Sequence, residues 1–172
     1  MVKKQSKRKV TLEDLKKAYK NCGIHYDGPR FQVEDHLEQL MWLFHNEGDY
    51  CDWCILDALA TSNSPGLYRF FADLLNSPKG YAIAVAVDWL LRFNTGTSRS
   101  LLWKILPSKL HHKDEGVRKA AIKGIRGLNT KEARMLLWQA LTTYTLDTPE
   151  ETQKFRDMIN EVLKSSPTKH RA

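Results

Sequence analysis

From Asp114 to Leu128 the chain reads DEGVRKAAIKGIRGL, and its apolar or small residues fall at Val117, Ala120, Ala121, Gly124, Ile125 and Leu128. The spacing i, i+3, i+4, i+7, i+8, i+11 is one face of an α-helix about three turns long. The same spacing returns in Ala133, Leu136, Leu137, Ala140, Leu141 and Tyr144, and upstream in Leu67, Phe70, Phe71, Leu74 and Leu75. A repeated amphipathic helix without an overlaid catalytic motif points to a binding surface rather than a reaction centre.

Nothing in the chain competes with helix. No segment alternates apolar and polar residues for long, and the one Asp-Gly pair, Asp27-Gly28, runs into Pro29 and reads as a loop. Periodicity predicts nine helices, at about 11–22, 32–46, 50–62, 65–76, 79–93, 98–112, 115–127, 130–144 and 149–164. Thr11 with Asp14 resembles a capping box, and Thr148-Pro149-Glu150-Glu151 is a stronger one. Ser64-Pro65 opens a helix in the same way, and Asn129 with Glu132 is expected to cap the eighth after Gly127 helps end the seventh. The segment YAIAVAVDWLLRF within 79–93 is apolar nearly all round, which predicts burial on most sides. Short connections favour antiparallel neighbours.

The fold expected is all-α, with residues 1–10 a basic flexible tail, 11–165 one helical domain and 166–172 a second flexible tail. A chain of 172 residues, 42% hydrophobic and 27% charged, suits one domain with a sizeable core. The longest apolar run, Ala82 to Val87, is far short of the roughly 20 residues that cross a bilayer, so no membrane role is expected. The basic N-terminus carries no apolar stretch, hence no secretory signal is read there. An odd three cysteines fit a reducing, cytoplasmic setting better than a disulfide framework.

Internal repetition supports a more specific reading. Leu67–Leu75, Leu101–Leu106 and Met135–Leu141 align at offsets of about 35 residues, and Gly80-Tyr81 aligns with Gly116-Val117 at 36. Residues 98–128, with Pro107 in the first helix, Asp114 at the turn and Val117-Arg118 opening the second, resemble a HEAT repeat. The resemblance implies a right-handed stack of antiparallel helical hairpins, a short α-solenoid whose second helices line a concave binding face. Residues 1–62 depart from that pattern.

Net charge is +7, but its distribution matters more than its sum. Of the 27 basic residues, five lie in 1–10 (Lys3, Lys4, Lys7, Arg8, Lys9) and three near the other end (Lys164, Lys169, Arg171), leaving 19 against 20 acidic ones. From Asp27 to Asp73 there are nine acidic residues and only Arg30 and Arg69; from Arg99 to Arg134 there are ten Lys/Arg against Asp114, Glu115 and Glu132. One region therefore suits cationic partners and the other anionic ones.

These features give two binding hypotheses and one enzymatic alternative. The first is a non-enzymatic protein that binds a macromolecular partner, as an adaptor or an immunity-type inhibitor of a basic toxin does, with Glu34, Asp35 and Glu38 as its acidic contacts. The second is a nucleic-acid or ribonucleoprotein binder, using the tail and the stripe Lys119, Lys123 and Arg126 at i, i+4, i+7, joined from the side by Arg118. A plain solvated helix face explains that stripe as well. The third rests on resemblance to the DNA alkylation-repair glycosylases in Asp52-Trp53-Cys54-Ile55-Leu56-Asp57 and Val87-Asp88-Trp89-Leu90-Leu91-Arg92. It implies Asp57 as the catalytic Asp, with Trp53 and Trp89 lining a base pocket.

Other chemistry-bearing residues read as structural. Cys51 and Cys54, with His45 upstream, lack the second ligand pair of a zinc site; Cys22, His25 and His36 would have to supply it, and core packing is the expectation. His111-His112 suits a helix C-terminus. Of five tryptophans, Trp42 and Trp89 are expected in the core, with Trp103 and Trp138 at its edge, in preference to base-stacking platforms. Phosphate loop, dinucleotide fingerprint, HExxH pair and nucleophile elbow are all missing. No cofactor, no metal and no catalytic residue is assigned.

Overall fold

The computed structural model describes residues 9–20, 31–46 and 52–164. Among them are nine α-helices: α1 (Leu12–Lys20), α2 (Leu37–Asn46), α3 (Asp52–Thr61), α4 (Tyr68–Leu74), α5 (Gly80–Phe93), α6 (Gly96–Lys109), α7 (Glu115–Gly127), α8 (Lys131–Thr143) and α9 (Pro149–Lys164). Short 3₁₀ turns, Val33–His36 and Pro65–Leu67, lead into α2 and α4. No strand occurs among the described residues, and none of their helices is long and apolar enough to cross a membrane. The fold is all-α.

Local chemistry sets most helix starts. The Asp14 carboxylate accepts from Thr11 N at 2.9 Å while Asp14 N donates to Thr11 Oγ1 at 3.3 Å, a reciprocal capping box. Thr148 Oγ1 accepts from Glu151 N at 3.1 Å ahead of α9. The N-cap of α8 is Thr130, whose Oγ1 accepts from Ala133 N, and not the expected Asn129. Asn129 instead takes a left-handed conformation (φ 50°) after α7, a geometry a short amide side chain tolerates. Gly127 is then freed for packing: a Cβ there would stand 2.4 Å from Leu91 Cδ1.

The described helices fall into two units, one within residues 1–67 and the other within 68–172. In the first, α1 packs on α2 and α2 on α3. Its core contains Leu15, Leu40, Leu43, Ile55, Leu56 and Leu59, all fully buried. Trp42 is not in it. Leu40 and Leu43 take the inward side of α2, which leaves Trp42 45% exposed with the Lys16 ammonium 5.8 Å from its ring centroid.

In the second unit α7 is the hub, packing against α5, α6, α8 and α9. All six residues of its apolar face are buried, and so are Arg118 and Ile122, because four neighbours cover more of the circumference than one amphipathic stripe demands. A Cβ on Gly80 would meet Gly116 C and Val117 N, one on Gly124 would meet Val87, and one on Gly127 would meet Leu91. Contacts at near-constant offsets of 36 to 37 residues mean that α5 and α7 run parallel, in register. Trp89 of α5 is 1% exposed and stacks on Phe71 and Phe93, with centroids at 4.7 and 4.8 Å. The expected burial of 79–93 thus holds for Ala82, Ile83, Ala86, Val87, Trp89, Leu90 and Leu91.

Candidate functional site

In the first unit, the turn Val33–His36 passes directly into α2, so its acidic residues cluster where a helix begins. Backbone amides at such a start favour nearby carboxylates, which accounts locally for Glu34, Asp35 and Glu38. Tertiary packing adds something further. All three are exposed, and all three line one cleft of about 620 Å³ together with Lys9, Val10, His36, Leu37, Gln39, Met41, Ser64 and Gly66. Within it His36 is held in place: its Nδ1 is 2.6 Å from Gln39 Oε1, and Phe31 meets the ring edge-on at 5.7 Å. Val10, Leu37 and Met41 contribute apolar surface beside the carboxylates.

Lys9 and His36 were not among the sequence candidates for this cleft. Lys9 and Val10 close the expected 1–10 tail, yet both line the cleft; Thr11 starts α1 immediately after them, which was the available signal. The rest of that tail and residues 166–172 lie outside the described residues.

The basic stripe of the second unit comes apart. Lys119 and Lys123 are exposed one turn from each other on α7. Arg118 is only 4% exposed, and its Nη1 donates to His112 O and Lys113 O, both at 2.8 Å. It pins the turn before α7 rather than joining an outer face. Its Nε is buried without a hydrogen-bond partner. Arg126 is half-buried and its Nε donates to Val162 O at 3.2 Å, placing a cation where α9 ends and carbonyls lack helical partners.

The remaining candidates also scatter. Asp57 and Trp53 are exposed on α3, whereas Trp89 is core and offers no face to a base. Cys54 is half-buried; Cys22, His25 and Cys51 lie outside the described residues. Among the described residues no group of three His, Cys, Asp or Glu side chains is placed to hold a metal ion. Burial, and then the charge of Cys54, raise the Tyr19 phenol above its ordinary pKa. His112 Nδ1 accepts from Asp114 N at 3.0 Å, so this histidine shapes the α6–α7 turn, while the His111 ring lies 3.8 Å from that of Tyr144.

Fold and surfaces together define an all-helical protein with an acidic cleft in one of its two units. No family model, curated protein or solved structure matches the chain.

Proposed function

We propose that this chain is a non-enzymatic, HEAT-like helical-repeat protein that binds a basic protein partner through the cleft around Glu34, Asp35 and Glu38. The observation carrying this reading is that the three acidic candidates gather around one cavity, while the basic candidates do not gather. Arg118 is buried and Arg126 is engaged with α9, which leaves Lys119 and Lys123 alone of the stripe. Exposed carboxylates next to Val10, Leu37 and Met41 complement Lys and Arg, whose aliphatic stems cover apolar surface while their heads meet anions.

The repeat part of the proposal draws on spacing in the second unit. Gly80 abuts Gly116, Gly127 abuts Leu91 and Arg126 bonds Val162 O, each across 36 residues. Recurrent contacts at one offset are what stacked helical hairpins produce. The right-handed stack and a concave face belong to the same proposal.

The test compares two variants of the full chain in capture from source cells after nuclease treatment. Glu34→Gln/Asp35→Asn/Glu38→Gln should lose at least one basic partner that Lys119→Gln/Lys123→Gln retains. Identical partner sets for wild type and the acidic triple variant would refute the cleft. Partners lost only upon nuclease treatment, or only in the lysine variant, would favour the nucleic-acid reading instead.

A further inference from the structure

Two helices of the second unit carry the same device. Thr95 and Thr130 are the N-caps of α6 and α8, and the Oγ1 of each accepts from the amide three residues on, at 3.1 Å in both cases. Seven residues after each cap stand Leu102 and Leu137, both fully buried. The next residue in each helix is a tryptophan, Trp103 at 41% and Trp138 at 56% exposure. The match extends to Thr95, Arg99, Leu101, Leu102, Trp103 and Leu106 against Thr130, Arg134, Leu136, Leu137, Trp138 and Leu141, all at an offset of 35 residues.

Contacts near the two ends of these helices follow the same order along the chain. At their starts, Arg99 Nη2 donates to Leu128 O, two residues before the α8 cap. At their ends, the rings of His111 and Tyr144 are 3.8 Å apart between centroids. Both helices pack on α7. Each residue along a helix turns by about 100°, so a tryptophan following the inward leucine is turned outward by the same angle on both. Trp103 and Trp138 therefore hold matching positions on their two helices.

Their surroundings are cationic. Across α6 and α8 there are Arg99, Lys104, Lys109, Lys131 and Arg134 against Glu132 alone. Lys104, Lys131 and Arg134 are exposed, and Arg134 lies one turn before Trp138 on the same side. Met135, at 60% exposure, adds apolar surface one turn from Trp138. Exposed aromatic rings among cations match a ligand that offers flat faces and a run of negative charge. Rings that stand out individually suit bases splayed one by one, whereas an amphipathic acidic helix needs a hollow to lie in.

We infer that the α6–α8 face binds single-stranded nucleic acid, with bases stacked on Trp103 and Trp138 and phosphates beside Lys104, Lys131 and Arg134. This inference is independent of the acidic cleft, which lies in the other unit, so either can fail without the other.

The test titrates the full chain with short labelled oligo(U) and oligo(dT) at about 50 mM salt and again at about 200 mM. Expected results are quenching of tryptophan fluorescence, steep weakening by salt, and weaker binding of a duplex of equal length. Trp103→Ala and Trp138→Ala should each weaken binding about five-fold or more, with Phe at either position restoring most of it. Lys131→Gln/Arg134→Gln should weaken it more than Lys119→Gln/Lys123→Gln on α7. The affinity ranking of oligo(U) against oligo(dT) assigns RNA or DNA as the preferred strand; either supports the inference. No binding at the lower salt, or binding unchanged in folded Trp→Ala variants, would overturn it. So would oligo-glutamate competing at equal charge concentration with the same dependence on Trp138, which would make the partner an acidic protein.

Discussion

Gly80 and Gly96 each occupy the first position of a helix, α5 and α6, and the space around them is very different. A Cβ on Gly80 would lie 2.9 Å from Asp114 Oδ1, from Gly116 C and from Val117 N. Two of those atoms are α7 backbone and cannot swing aside. Reaching ordinary contact, which begins at 3.4 Å, requires α5 to retreat from the hub helix by about half an ångström. Overpacking of that kind costs about 1–3 kcal/mol. Around Gly96 nothing lies within 4 Å of a new Cβ. Alanine gains about 0.4–1 kcal/mol at either site by restricting the unfolded chain, and this gain cancels when the two variants are compared. Gly80→Ala should therefore be less stable than Gly96→Ala by about 1–3 kcal/mol. For a unit of this size that corresponds to a difference in Tm of roughly 5–15 °C. Urea and thermal unfolding followed by circular dichroism measure both. Equal stability of the two variants would mean that α5 does not approach α7 at Gly80, and the parallel in-register packing would be wrong.

Three further expectations follow from single contacts. Thr152, buried in α9, accepts from Leu146 N at 2.8 Å and donates to Thr148 O at 2.9 Å; Thr152→Val keeps the shape but orphans the Leu146 amide, costing about 1–3 kcal/mol by urea unfolding, with Thr152→Ser close to wild type. Asn129→Ala places a β-carbon in a left-handed conformation without amide compensation and should cost about 1 kcal/mol, while Asn129→Gly should be near neutral; equal losses would show that φ is not the cause. Because the Tyr19 phenol is raised above its ordinary value of 10.0, chiefly by burial, its neutral form is favoured in the fold. Its contribution is complete below the unfolded value and disappears as pH rises through the higher folded one, so stability should fall in that alkaline window, and Tyr19→Phe should flatten the fall.

Element positions were legible because the signals that set them are local. A 3.6-residue period and a Thr, Asp or Ser cap act within one or two turns, and the structure reproduces all nine helices to within a few residues. Where two local signals competed, as Asn129 and Thr130 did for the α8 cap, the residue whose hydroxyl met Ala133 N took the position. The acidic candidates were legible as a stretch of like charge. That they share a cleft with Lys9 was not, because Lys9 is 25 residues away from Glu34 in sequence and approaches it only through packing.

By itself, then, the sequence determined an all-helical chain, its helix boundaries, its inward faces and its division into acidic and basic stretches. Only tertiary structure decided what becomes of the residues between those faces. Periodicity places Arg118 beside the Val117–Leu128 stripe but cannot count the helices that will pack on α7; with four of them there, Arg118 is 4% exposed and bonds the turn before α7. The same period puts Trp42 in an apolar helix, yet its ring stays 45% exposed, with the Lys16 ammonium near its face. Trp103 and Trp138 follow fully buried leucines in their helices, yet the packing around α6 and α8 leaves both rings exposed. A helix knows its own faces from its sequence; how many neighbours cover each face is a property of the assembled fold.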